Sequence, residues 1–289
     1  MAALDTAARI PLEAPARRRR GLGLVFWAAA LWILLVVALA AFADLLPLAD
    51  PYAQALLARR APPGAAHLLG TDALGRDILA RVIYGARASL EIGVIAPLAA
   101  TLIGAPIGMA SGYFRGTVET LAIGATDVLL AFPPLVLALA IVAYLGQSVT
   151  NVIIVLAILT IPAVTRVARA ATLAMREREF VTAARALGAG HVRILAREIL
   201  PNIMLPLFAY FLVLVAVTIV AEGILSFLGL GVPPPMPSWG GMIAEGRESL
   251  DIAPHIAFIP AGAMFLTVLA FNLVGDGLRA RTEARGGAP

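Results

Sequence analysis

Charged residues fall in clumps along this chain, and the intervals between the clumps stay apolar for longer than a soluble core requires. Uncharged runs occupy residues 21–43, 92–114, 128–165, 199–221 with a continuation over 223–244, and 252–275. A helix needs about 20 mostly apolar residues to cross a hydrocarbon core roughly 30 Å thick, so each run predicts a membrane span. The third run is too long for one helix. Tyr144-Leu-Gly-Gln-Ser-Val-Thr-Asn151 near its middle is polar and turn-like and divides it in two. Gly229-Leu-Gly-Val-Pro-Pro-Pro-Met-Pro237 cannot continue a helix, so the span before it ends near Leu228. The pattern predicts six spans, over 22–43, 89–112, 120–144, 150–172, 204–228 and 254–277.

Two connecting segments carry more pattern than a linker needs. Between the first two spans, Ile78, Leu79, Val82 and Ile83 form one helical stripe with Arg76 and Asp77 off it. That arrangement suits a helix lying along the membrane surface, and equally a connector that merely covers its own apolar face. Between spans four and five, positions 180, 183, 184 and 187 of Phe180-Val-Thr-Ala-Ala-Arg-Ala-Leu187 follow the stripe of an amphipathic helix. Gly188 suits the left-handed position that ends such a helix. A second short helix follows, with Val192, Leu195 and Ile199 on one side, stopped by Pro201. Competing readings are a solvated linker, a surface-bound amphipathic pair and a DNA-binding helix–turn–helix. Apolar spans within a few residues on both sides disfavour the last, and no nucleic-acid partner is expected. The small Ala183–Ala184 pair lets another surface approach closely, which favours a protein-docking element.

Composition sharpens this picture. Of the 289 residues 61% are hydrophobic and 14% charged, against roughly 45–50% and 25% in soluble domains. All 22 basic residues are Arg, and Cys is absent. Without Lys there is no phosphate loop of the G-x-x-x-x-G-K-[ST] kind and no Schiff-base amine. Without Cys there is no thiolate nucleophile, disulfide or Cys-based metal site. His67, His191 and His255 are too scattered for a metal centre, and no metal site is expected. No Gly-x-Ser-x-Gly elbow or His-Glu-x-x-His helix occurs, so nothing argues for catalysis.

Arg17–Arg20 and the small residues at Ala41-Phe42-Ala43 mimic a secretory signal. The 23-residue apolar stretch between them exceeds a signal's 7–15, which favours an uncleaved anchor. With both termini cytoplasmic, 16 Arg fall inside and six outside, as the positive-inside rule asks. Arg59, Arg60, Arg76, Arg81 and Arg87 in the first outer segment weaken that bias, although Asp44, Asp50, Asp72 and Asp77 nearly neutralise them.

Asp127 and Glu222 lie within predicted spans. A charge at such depth costs about 2.5–3.5 kcal/mol or more, so each is a candidate pathway or gate group, with a structural acid bonded to backbone or Arg as the alternative. For Glu222, beside the turn, the structural reading leads. Pro97, Pro106, Pro133, Pro134 and Pro162 predict bent helices, and Gly104, Gly108 and Gly112 predict close helix packing.

Thr182-Ala-Ala-Arg-Ala-Leu-Gly188, followed at fixed spacing by Ile199-Leu-Pro-Asn202, resembles the EAA coupling loop of bacterial ABC importer permeases. The resemblance is greatest to the C-type permease of the dipeptide and oligopeptide branch. It runs from His67 to Arg279 through Leu69-Gly-Thr-Asp-x-Leu-Gly-Arg-Asp77, Ser111-Gly-Tyr-Phe114, Leu225-Ser-Phe-Leu-Gly-Leu-Gly231, Pro237-Ser-Trp-Gly240 and Leu269-Ala-Phe-Asn-Leu-Val-Gly-Asp-Gly-Leu-Arg279. It implies an all-α, polytopic protein of the bacterial cytoplasmic (inner) membrane with six transmembrane helices and a cytoplasmic coupling loop, the type I importer permease fold. Its divisions are an N-terminal tail 1–20, a first helix 21–43, an extracytoplasmic segment 44–87 with the surface helix, a transmembrane domain 88–279 with its coupling loop at 173–203, and a tail 280–289.

By position, coupling to an ATPase is assigned to Thr182, Ala183, Ala184, Arg185, Gly188, Leu200 and Pro201. The implied partners are a homologous second permease, two cytoplasmic ATPases that bind ATP and Mg, an extracytoplasmic peptide-binding protein and the lipid bilayer. This chain itself holds no cofactor. Thr182 stands where the motif's Glu often stands, Glu198 where the branch often has His, and the tail after Arg279 departs from the usual ending. The implied activity is import of di- or oligopeptides, with nickel chelates, glutathione or another small solute as the alternative. A secondary transporter or channel is disfavoured because no inverted repeat is evident, and an intramembrane enzyme because no nucleophile–base set exists.

Overall fold

The computed structural model describes residues 23–286, with side chains to 281; the predicted basic tail 1–20 and the last three residues lie outside the described residues. Helices make nearly all the regular structure among them. These are α1 (Leu24–Ala41), α2 (Ile78–Phe114), α3 (Gly116–Leu130), α4 (Pro134–Leu145), α5 (Val149–Arg176), α6 (Glu179–Ala186), α7 (His191–Phe227), α8 (Trp239–Gly246) and α9 (His255–Gly286). Five of them, α1, α2, α5, α7 and α9, are long and apolar enough to cross a membrane, and α3 with α4, bent as a broken span or a re-entrant loop is, brings the count to six if the pair is one span.

Three boundaries differ from the sequence reading, each for a local physical reason. The predicted third span, 120–144, is broken: α3 and α4 meet at 80°. Pro133 and Pro134 sit at the break, with Pro133 extended at φ −57° and ψ 122° and Pro134 opening α4. Two consecutive prolines remove two N–H donors and push the residue before each out of the helical region. The predicted surface helix is instead the first turns of α2, so a domain boundary at 87/88 falls inside one continuous helix of 37 residues. Its stripe is covered by protein: Ile78 packs with Met242, Ala253 and Ile256, and Val82 lies against the same group. Pro201 does not stop a helix. A π-helical stretch at Ile194–Ile199 leads directly into Leu200, and its wider turn relieves the clash between a proline ring and the preceding turn of carbonyls.

The central packing is between α2 and α5. A Cβ added to Gly104 would stand 3.0 Å from the carbonyl oxygen of Ile161, and one on Gly112 would stand 2.7 Å from that of Arg169. At Gly108, between them, it would collide with the Thr165 carbonyl. The backbones therefore touch along three successive turns, the close approach that small residues permit between membrane helices. α7 packs on this pair, and α9 packs on α7. α1 sits outermost, apolar all round and mostly exposed, fastened by Trp32 Nε1 donating to Thr267 Oγ1 at 3.1 Å. A helix apolar on every face suits a lipid boundary.

The segment before α2 is irregular but pinned, and the pins account for its three Arg and for the two in the first turns of α2. Arg59 Nε donates to the Ala73 carbonyl at 2.7 Å, and Arg60 Nε to Ser249 Oγ at 3.1 Å. Arg76 donates to Asp72 at 2.6 Å and to Glu245 at 2.7 Å. Arg81, fully buried, donates to Glu245 at 3.1 Å and lies 3.5 Å from Asp72. Arg87 reaches Asp44 at 2.8 Å and the Ala40 carbonyl at 2.5 Å. Hydrogen bonds from Arg87 and then Tyr84 hold the exposed Asp44 carboxyl below its usual range. Asp77 caps α2 by accepting from the Ala80 N–H at 2.9 Å, as an N-cap acid should.

Replacing Gly108 with Leu is expected to force α2 and α5 apart at a cost of about 1–3 kcal/mol or more. The thermal unfolding midpoint of the purified protein in detergent should fall by several degrees. Gly262→Ala, where a Cβ meets nothing within 4 Å, should leave the midpoint unchanged or raise it.

Candidate functional site

The segment between α5 and α7 builds a compact knob. α6 begins after Arg178 and ends in a Schellman turn: the Ala189 N–H donates to the Ala184 carbonyl at 3.0 Å, and the Gly188 N–H to the Arg185 carbonyl at 2.9 Å. Gly188 carries the positive φ of 81° that this turn needs, with open space where a Cβ would stand, as the sequence suggested.

The helix faces differ from the expected stripe by a fraction of a turn. Val181 is fully buried against α2, α5 and the π-helical turn, with Ala184 packed on the same cluster. Phe180, Ala183 and Leu187 face outward, Leu187 being 88% exposed, and Val192 beyond the turn is 79% exposed. The single stripe 180, 183, 184, 187 therefore splits: Ala184 turns to the core, and the outward patch is Phe180, Ala183, Leu187 and Val192 with Thr182 exposed beside it. The Thr182 hydroxyl donates to the Arg178 carbonyl at 3.4 Å. Leu200 and Pro201 lie further along, on α7, where half-buried Leu200 packs on the same core cluster as Val181. Leu200 therefore lies beneath the knob rather than in its outward patch, and Pro201 is exposed beside it.

Arg185 has a partner that sequence reasoning missed. Its guanidinium lies 5.0 Å from the ring centroid of Tyr113, the second-last residue of α2. The Tyr113 hydroxyl is 3.0 Å from His191 Nδ1, and the Tyr113 and Phe114 rings each meet the His191 ring edge-to-face at 5.6 and 5.5 Å. The sequence signal was Ser111-Gly-Tyr-Phe114, noted there as a motif without a role.

The two acids within spans are not brought together with the knob or with each other. Asp127, in the last turn of α3, pairs with Arg166 of α5 at 2.6 Å, and both are about half exposed. A second pair, Glu119 with Arg169 through Nε at 2.9 Å, also ties α3 to α5. Glu222 is fully buried, and its Oε1 accepts from Ser226 at 2.6 Å and Ser238 at 3.0 Å. The bond from Ser238 fastens α7 to the end of the Pro-rich loop, through a serine hydroxyl rather than the backbone groups or Arg anticipated, while Oε2 is buried without a hydrogen-bond partner. Under that loop lies a small cavity of about 190 Å³ lined by Arg81, Gln147, Ser226, Ser238 and Glu245 among others. Among the described residues no group of three or more His, Cys, Asp or Glu is placed to hold a metal ion.

Residues 104–285 match the family described as "Binding-protein-dependent transport system inner membrane component". The chain is similar to the "Glutathione transport system permease protein GsiD" of Pectobacterium atrosepticum, 42% identical over 253 residues, covering 87% of this chain and 84% of that protein. The protein of the same name from Escherichia coli O1:K1 is 46% identical over 217 residues, covering 75% and 72%. In fold it is similar to a chain of the MetNI methionine ABC transporter in an inward facing conformation, with a TM-score of 0.58 at 16% identity, covering 69% of this chain and 95% of that one.

Gly188→Ala should strain the left-handed turn by roughly 1–2 kcal/mol without introducing a clash. Limited proteolysis of the folded protein is expected to cut near 187–190 several times faster in the variant, with the rest of the digestion pattern unchanged.

Proposed function

This chain belongs to the family of binding-protein-dependent transport system inner membrane components, the multi-pass permease subunits of ABC importers, and we propose that it forms half of a membrane pathway for short peptides. The knob between α5 and α7 is the docking point for an ATPase, and Thr182, Ala183, Arg185 and Gly188 act there. The observation that carries this reading is the outward patch of Phe180, Ala183, Leu187 and Val192, held rigidly from beneath by Val181 and Ala184. Three large apolar side chains around a small alanine make a surface that a groove can seat, and an isolated soluble end of a helix has no reason to expose them.

ATP and Mg belong to two separate ATPase chains, consistent with a sequence that lacks Lys. A homologous second permease completes the pathway, and an extracytoplasmic binding protein delivers the solute. Both termini and the knob face the cytoplasm. The exposed Arg178, Arg193 and Arg197 around the knob suit that side. The relatives' names favour glutathione, a tripeptide, within the class of short peptides. Asp127 remains a pathway candidate beside the break between α3 and α4, while Glu222 is assigned to holding the Pro-rich loop.

In a reconstituted complex of both permeases, the ATPases and the binding protein, Ala183→Trp should reduce ATPase co-purification and stimulated hydrolysis by about tenfold or more, since filling the seat of a docking helix removes a central contact. Unchanged docking would sink the coupling assignment. Mass spectrometry of ligand released from the native binding protein should find short peptides or glutathione; a metal chelate or a sugar there would overturn the substrate class.

A further inference from the structure

The knob is joined to the rest of the chain in two ways. Val181, Ala184 and Ala189 rest on an apolar cluster shared by α2, α5 and α7. Apolar contact of this kind holds position but has little directional preference. Directional contacts centre on Tyr113: Arg185 lies over its ring at 5.0 Å, and His191 Nδ1 is 3.0 Å from its hydroxyl. One partner lies before the Gly188 turn and the other after it, so Tyr113 clamps the turn from both sides. Tyr113 is only 4% exposed, and the ring is held edge-on between its neighbour Phe114 and His191.

Tyr113 also stands at the end of the helix best placed to report a displacement. α2 has 37 residues, about 55 Å at 1.5 Å per residue. Its second half is locked to α5 through Gly104, Gly108 and Gly112. Its first half carries the opposite end of the molecule: Ser89 Oγ accepts from the Trp239 N–H at 3.1 Å, the Val82 carbonyl accepts from Trp239 Nε1 at 3.0 Å, and Arg81 meets Glu245 at 3.1 Å. A push on the knob delivered through Tyr113 therefore reaches α8 and the Pro-rich loop along one helix.

On the reading that the knob receives an ATPase, we propose that Tyr113 is the positioning residue that couples it to α2: the hydroxyl holds His191, the ring holds Arg185, and together they make the end of α2 follow the knob.

The test uses the full reconstituted complex and reads the ratio of binding-protein-stimulated to basal ATP hydrolysis, per assembled complex. Tyr113→Phe and His191→Leu remove the same bond from opposite sides, and the double variant completes a cycle. Each single change is expected to lower the ratio by about threefold or more, the scale set by one hydrogen bond, and the double no further than the worse single. Ratios unchanged in the singles, or losses that multiply in the double, overturn the proposal. If one variant fails to assemble, the other decides alone by whether its ratio falls. An unaltered complex that shows no stimulation at all would instead defeat the functional reading on which the proposal rests.

Discussion

The seam between α2 and α5 is the constraint on which the other contacts depend. In lipid, apolar side chains gain nothing by leaving water for one another, so helices associate through van der Waals contact at short range and through polar bonds. Gly104, Gly108 and Gly112 bring the α2 backbone against the carbonyls of Ile161, Thr165 and Arg169. That contact fixes the axial register of two long helices at once. With the register fixed, Arg166 and Arg169 of α5 meet Asp127 and Glu119 of α3, and the end of α2 meets the turn between α6 and α7. A sliding of either helix by one turn, about 5.4 Å, would break all of these contacts together.

The knob shows how a small element can be made stiff without being large. α6 has eight residues, too few to hold helical structure alone in water. Its rigidity comes from a buried valine beneath, a Schellman turn at its end and an aromatic clamp on one side. The outward face is thereby left apolar, which is tolerable only if something covers it.

Legibility followed the physics of each signal. Span existence was readable because hydrocarbon imposes a length of uninterrupted apolar residues, and Gly188 was readable because its turn needs a positive φ. The glycine seam was readable as spacing. Helix ends were not: α2 begins at Ile78 because protein neighbours, rather than lipid, bury its first turns, and tertiary burial leaves no periodic mark. The stripe in α6 misplaced Ala184 because alanine is small enough to suit either face. The bend at Pro133–Pro134 was visible as proline but its size was not, since a proline pair states where a helix yields and not by how much. Tyr113 was part of a motif, yet its partners lie more than seventy residues away, beyond any local pattern.

The five guanidiniums ahead of α2 and within its first turns all bond inside the fold, to Asp44, Asp72, Glu245, Ser249 and backbone carbonyls. At the other end Arg178, Arg193 and Arg197 project outward. The same residue thus serves the two ends differently: its charge is answered inside the fold at one, and at the other it stands exposed, with the exposed Glu177 and Glu179 beside Arg178. An exposed guanidinium keeps its donors for whatever anionic group approaches the knob, whereas those ahead of α2 and in its first turns have already spent theirs within the fold.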